Sequence, residues 1–107
     1  MNERRRHVRV EPTPALPATA TRTRDGLVHE RLEILDISIS GMRMIAPNDD
    51  STRDMELRLG LGDKKELHVR VTRRWATDQL IGVELVGPSA EVSTALSRYV
   101  ADVMERG

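Results

Sequence analysis

Two stretches of the chain alternate apolar and polar residues with period two. Met55, Leu57, Leu59 and Leu61 share one phase against Glu56 and Arg58, and Leu67, Val69 and Val71 share one phase against Glu66, His68 and Arg70. This is the pattern of half-buried antiparallel strands. Gly60 to Lys65 is the hairpin between them. In the second stretch only Arg73 breaks the apolar phase, and carrying that phase on to Trp75 predicts a tryptophan packed in the core rather than stacked on a base. Thr77-Asp78-Gln79 then turns the chain into Leu80–Val86, where Ile81, Val83 and Leu85 alternate again.

The first half is less regular. Pro12, Pro14 and Pro17 exclude a helix or a central strand, since each removes a backbone donor. A threonine-rich strand over Ala18–Arg24 leads to Asp25-Gly26, a hairpin signal. Leu27–Ile37 reads as a strand with Val28, Leu32 and Ile34 in one phase. Its alternation blurs at Leu35-Asp36-Ile37, which predicts a bulge or a bend. A short strand over Met42–Ile45 ends at Pro47, and residues 48–51 form a polar turn. After Gly87-Pro88-Ser89 the period changes: Val92, Leu96, Tyr99, Val100 and Val103 form the single apolar stripe of a helix, with Ser89 available as its cap. Six strands and one amphipathic helix make an all-β barrel or sandwich whose helix covers one opening or flank.

Composition narrows the function. At 107 residues the chain is expected to be one domain. It has no cysteine, which excludes disulfides and cysteine-based zinc sites. The N-terminus lacks an apolar signal-like run and nothing is long enough to span a bilayer, so a cytoplasmic protein without membrane insertion is expected. His7, His29 and His68 lie in three separate segments and offer no metal-ligand spacing, and the latter two sit on polar phases. Ser38 and Ser40 lack a nucleophile elbow, and Gly60-Leu61-Gly62 is a hairpin rather than a dinucleotide loop. No catalytic residue, metal or cofactor is expected.

Two short segments carry chemistry. Arg4, Arg5, Arg6 and Arg9 form a local positive pole on a chain with 17 basic and 17 acidic residues. Arginine presents a planar fork that matches phosphate oxygens and the O6/N7 edge of guanine. By itself such a run is more often merely solvated. Asp36-Ile37-Ser38-Ile39-Ser40-Gly41 likewise reads as a strand end rich in turn formers. It also suits a guanine nucleotide. A carboxylate accepts from N1–H and N2–H₂, hydroxyls bond phosphate or base edge, and a glycine lets backbone come close.

Arg5-Arg6-His7-Val8-Arg9 fits Arg-x-x-x-Arg, and after residues 10–35 the segment Asp36–Gly41 fits Asp/Asn-x-Ser-x-x-Gly. Together they resemble the two signatures of the PilZ domain, the bacterial receptor module for cyclic di-GMP. Val71–Trp75 and Ile81–Leu85 resemble that family's last hairpin. The resemblance implies a six-stranded antiparallel β-barrel (residues 12–87) with a C-terminal amphipathic helix (residues 88–105), and a flexible arginine arm (residues 1–11) that clamps cyclic di-GMP. It implies that Arg5 and Arg9 bind phosphate and guanine, that Asp36 and Ser38 read the other base edge and a phosphate, and that Gly41 permits close approach. Arg4 is a further candidate, for a second ligand molecule of an intercalated pair. Ser40 and Arg43 are weaker candidates, and Arg6 falls on a non-motif position. The implied output is a changed surface offered to a partner protein. Two alternatives stand beside it: a small barrel that uses the arm on nucleic acid, disfavoured by the zero net charge and the scarcity of aromatics, and a PilZ-like scaffold that binds protein but no nucleotide.

Overall fold

The computed structural model describes residues 7–24, 28–46 and 53–106. Arg4 and Arg5 lie outside the described residues. The six strands are β1 (Ala18–Arg24), β2 (Val28–Ile37), β3 (Gly41–Ile45), β4 (Asp54–Leu61), β5 (Leu67–Thr77) and β6 (Leu80–Leu85), followed by helix α1 (Ala90–Arg106). They close into an antiparallel barrel in the order β1-β2-β3-β6-β5-β4. Of the two architectures left open by periodicity, the barrel is therefore the one adopted.

Alternation explains the interior. Met55, Leu57, Leu59 and Leu61 of β4 face Leu67, Val69 and Val71 of β5 inside, joined by Leu32, Ile34, Met42, Met44, Ile81 and Val83. Ala20 and Arg22 occupy the same inward phase of β1, so a guanidinium is buried. It is neutralised by its cross-strand neighbour Glu30, whose Oε1 accepts from Arg22 Nη2 at 2.5 Å and Nε at 3.1 Å. A charge in the interior requires such a partner.

The barrel has a mouth framed by Leu16, Leu61, Leu67 and Leu85, and α1 packs across it. Ser89 is the helix cap: its Oγ accepts from Val92 N at 3.2 Å, with Pro88 just ahead of it. The expected stripe of Val92, Leu96, Tyr99, Val100 and Val103 is the buried face. Tyr99 donates its hydroxyl to the Leu16 carbonyl at 2.6 Å, which ties the helix to the proline-rich loop. Burial pushes the Tyr99 pKa up, so it remains a donor.

If this lid carries part of the core, Leu96→Ala should destabilise by about 2–5 kcal/mol. Met104→Ala, on the outer face at 62% exposure, should change stability by no more than about 0.5 kcal/mol. Urea denaturation followed by circular dichroism measures both, and equal effects would contradict the packing.

Candidate ligand-binding site

Two bulges build the site. The β2–β3 register shifts between Ile34 and Asp36, and the β5–β6 register shifts between Arg73 and Trp75. Leu35 and Arg74 are the extra residues. An extra residue reverses the phase of whatever follows it. Ile34 pairs with inward-facing Met44, yet Asp36 pairs with Arg43 on the outer face. In the same way Trp75 pairs with Gly82, whose neighbours Ile81 and Val83 point inward. The β2 bulge is where the sequence predicted one. Trp75 corrects the sequence reading: it is not a core residue but is 43% exposed on the outer face.

The result is one lateral row across four strands: Asp36 on β2, Arg43 on β3, Gly82 on β6 and Trp75 on β5, each the register partner of the next. Neighbouring strands lie about 4.8 Å apart, so the row spans roughly 15 Å. Above it is a groove of about 560 Å³ with His7, Arg9, Ser40, Arg43, Arg74, Trp75 and Glu84 among its lining residues. That volume lies within the range of about 300–1,000 Å³ usual for ligand pockets.

At one end of the row, Asp36 holds two arginines. Arg9 Nη1 donates to Oδ1 at 3.1 Å, and Arg43 Nε and Nη2 donate to Oδ2 at 2.6 Å. Asp36 is buried while both guanidinium groups remain substantially exposed, so the carboxylate aims them outward. The hydrogen bond and the charge of Asp36 raise the Arg43 pKa above its ordinary value. Arg9 is also placed by its neighbour. Val10 is buried in the core and forms a two-way backbone bridge with Ile37, N to O at 2.9 Å each way.

The turn from Ser38 to Gly41 is braced from within and by β6, where Leu85 N donates to Ser40 O at 2.9 Å. Ser38 Oγ is buried and accepts from Ser40 N at 3.1 Å and Gly41 N at 3.2 Å, and Ser38 N donates to Gly41 O at 2.8 Å. Gly41 sits where a Cβ would lie 2.2 Å from the Val83 carbonyl oxygen, so its lack of a side chain is demanded by β6. Ser40 reaches the groove.

At the other end, Trp75 covers Gly82. A Cβ there would fall 2.3–2.7 Å from Nε1, Cε2 and Cζ2 of the indole. One ring face is thus seated on glycine backbone, and the ring lines the groove. Glu84, on the same face of β6, accepts from Arg74 Nε at 2.5 Å.

The structure therefore brings Arg9, Asp36, Ser38, Ser40, Gly41 and Arg43 to one surface. The sequence reading missed Trp75, Arg74, Glu84 and His7 as neighbours of that surface. The available signal was Arg73: its break in the apolar phase marks a bulge, and a bulge turns Trp75 outward.

The sequence matches the PilZ domain over residues 3–102. The chain belongs to the PilZ domain family. No curated protein sequence matches it. Among solved structures, the barrel superposes on YcgR from Escherichia coli in complex with c-di-GMP with a TM-score of 0.75 at 18% identity, covering 95% of this chain and 46% of that one. The PilZ domain of YcgR with c-di-GMP gives 0.71 at 16% identity, with 96% and 93% covered. The K. pneumonia MrkH–c-di-GMP complex gives 0.76 at 13% identity, with 98% and 54% covered. The chain thus spans about half the length of YcgR and of MrkH, and at these identities the likeness establishes the PilZ fold.

Trp75 is the sole tryptophan, so intrinsic fluorescence reports its seat on Gly82. Gly82→Ala should unseat the ring, shifting emission to the red and raising quenching by iodide. Unchanged emission would mean that the ring does not rest on Gly82.

Proposed function

We propose that this PilZ domain is a receptor for cyclic di-GMP, a binding module rather than a catalyst. The observation that carries the reading is the lateral row: outward-aimed arginines at one end and an open aromatic face at the other, within one groove. A cyclic dinucleotide has the matching parts, phosphates for charge-assisted forks and a purine for stacking. The c-di-GMP complexes of YcgR and MrkH, with the same fold, support it.

In this reading Arg9 and Arg43 face phosphate, and Asp36 aims both. A contact from Asp36 to a base requires its oxygens to be shared with these arginines. Trp75 is the stacking platform. Ser38 and Gly41 shape the turn, with Ser40 at its edge. Arg5 folds over the ligand from the arm, and Arg4 meets a second molecule where a pair binds. Because Val10 already anchors Arg9, the ordering that binding brings belongs to the residues ahead of His7. The reordered surface is then offered to a partner protein.

Titration calorimetry with cyclic di-GMP, with cyclic di-AMP and GTP as controls, tests the reading and gives the stoichiometry. Arg5→Ala and Arg9→Ala should each weaken binding about ten- to hundredfold, from the loss of charge-assisted bonds of roughly 1.5–3 kcal/mol. Binding should quench Trp75 fluorescence and weaken with salt. No heat with cyclic di-GMP at tens of micromolar protein, or tighter binding to RNA at physiological salt, would overturn it.

A further inference from the structure

Two carboxylates pair with arginines of the groove, and they are engaged differently. Asp36 has Oδ1 taken by Arg9 and Oδ2 by Arg43. Glu84 receives Arg74 on Oε1 alone, through both Nε and Nη2, and its side chain is 45% exposed. Its Oε2 takes no part in that pair.

The position of Glu84 is as informative as its freedom. Gly82 and Glu84 share the outer face of β6, two residues and therefore about 7 Å apart. Trp75 covers Gly82. A base stacked on the outer face of the indole projects one edge along β6, toward Glu84. The cross-strand partner of Glu84 on β3 is Gly41, which adds no side chain beside it, and its partner on the Trp75 side is Thr72 of β5.

We infer that Glu84 is the guanine-selecting residue of this groove, accepting from the N1–H and N2–H₂ of a base stacked on Trp75. The inference rests on the cyclic di-GMP reading above and adds a residue outside both sequence motifs. Guanine presents two adjacent donors on this edge, and Oε2, which takes no part in the Arg74 pair, has two lone pairs to accept them. Adenine presents its N1 lone pair at the same place, which a carboxylate repels. Hypoxanthine keeps N1–H but lacks the amino group. Arg74 is the positioning partner: its two donors fill Oε1, which orients Oε2 toward the base, and its charge offsets the negative charge that Glu84 sets near the ligand phosphates.

The test compares cyclic di-GMP with its inosine counterpart, cyclic di-IMP, on the whole protein by calorimetry. Wild type should bind the guanine ligand about tenfold or more tightly, the loss expected for one charge-assisted hydrogen bond. Glu84→Gln should bring the two affinities within about threefold of each other. Its affinity for cyclic di-IMP should hold or rise, because a negative charge near the phosphates is gone. A wild-type protein that binds both ligands equally would overturn the assignment. So would a Glu84→Gln protein that keeps the wild-type ratio, or that loses both ligands in equal measure, since Glu84 would then serve only to prop Arg74. The ratio in wild type decides even where the variant misfolds. No heat from either ligand with wild type would instead overturn the cyclic di-GMP reading itself.

Discussion

The surface chemistry of this barrel depends on two misalignments in its sheet. A strand with strict alternation sends Asp36 into the core behind Leu32 and Ile34, and sends Trp75 inward behind Val69 and Val71. One extra residue in each strand, Leu35 and Arg74, reverses both. The bulges lie on opposite sides of the β3–β6 pair, so the residues they turn outward finish at the two ends of one row. The cations that a buried carboxylate organises and an aromatic face thus share a groove, with both the carboxylate and the ring carried on strands. Rigid strands position such groups more closely than loops do.

The row also requires close approach, and two glycines provide it. Gly41 lets β3 lie against the Val83 carbonyl, and Gly82 gives the indole a flat seat. Each glycine has a requirement set by protein atoms alone. A glycine in a ligand motif therefore need not signal contact with the ligand: Gly41 is explained by strand packing, as Ser38 is by the turn whose amides it accepts. The motif reads as the recipe for a turn that presents Asp36, Ser40 and Arg43 in a fixed relation.

This accounts for what was legible in the sequence. Strands β4 and β5 announced themselves because one face is buried and the other wet, and the helix because its stripe covers the mouth of the barrel. The bulge in β2 was visible as blurred alternation. The bulge in β5 was masked, because a single Arg73 looked like an exception in an apolar phase that Trp75 appeared to resume. Arg9 and Asp36 could be named from the resemblance of their segments to the PilZ signatures, and Arg43 from its place two residues past Gly41 on the face opposite Met42. Glu84 and Arg74 could not, since their relation to the groove arises only when β6 pairs with β3 and β5 at once. The membership of Arg22 in the interior was equally hidden, because its burial depends on Glu30 across the strand pair.

Electrostatics then bears on how such a groove meets a dianion. With 17 charges of each sign, the chain has no net field to draw in an anion, so attraction must be local. Asp36 pairs with Arg9 and Arg43, and Glu84 with Arg74, leaving one excess positive charge in the first cluster and none in the second. Carboxylates hold the arginines in place before any ligand arrives, which lowers the side-chain ordering cost of association. The same pairing lowers the cost of gathering like charges on one face. Arg9 gains further from the Val10–Ile37 bridge, which fixes its backbone against the core. An anion entering the groove would meet guanidinium groups already oriented, on carboxylates at one end and on a backbone fixed against the core at Val10.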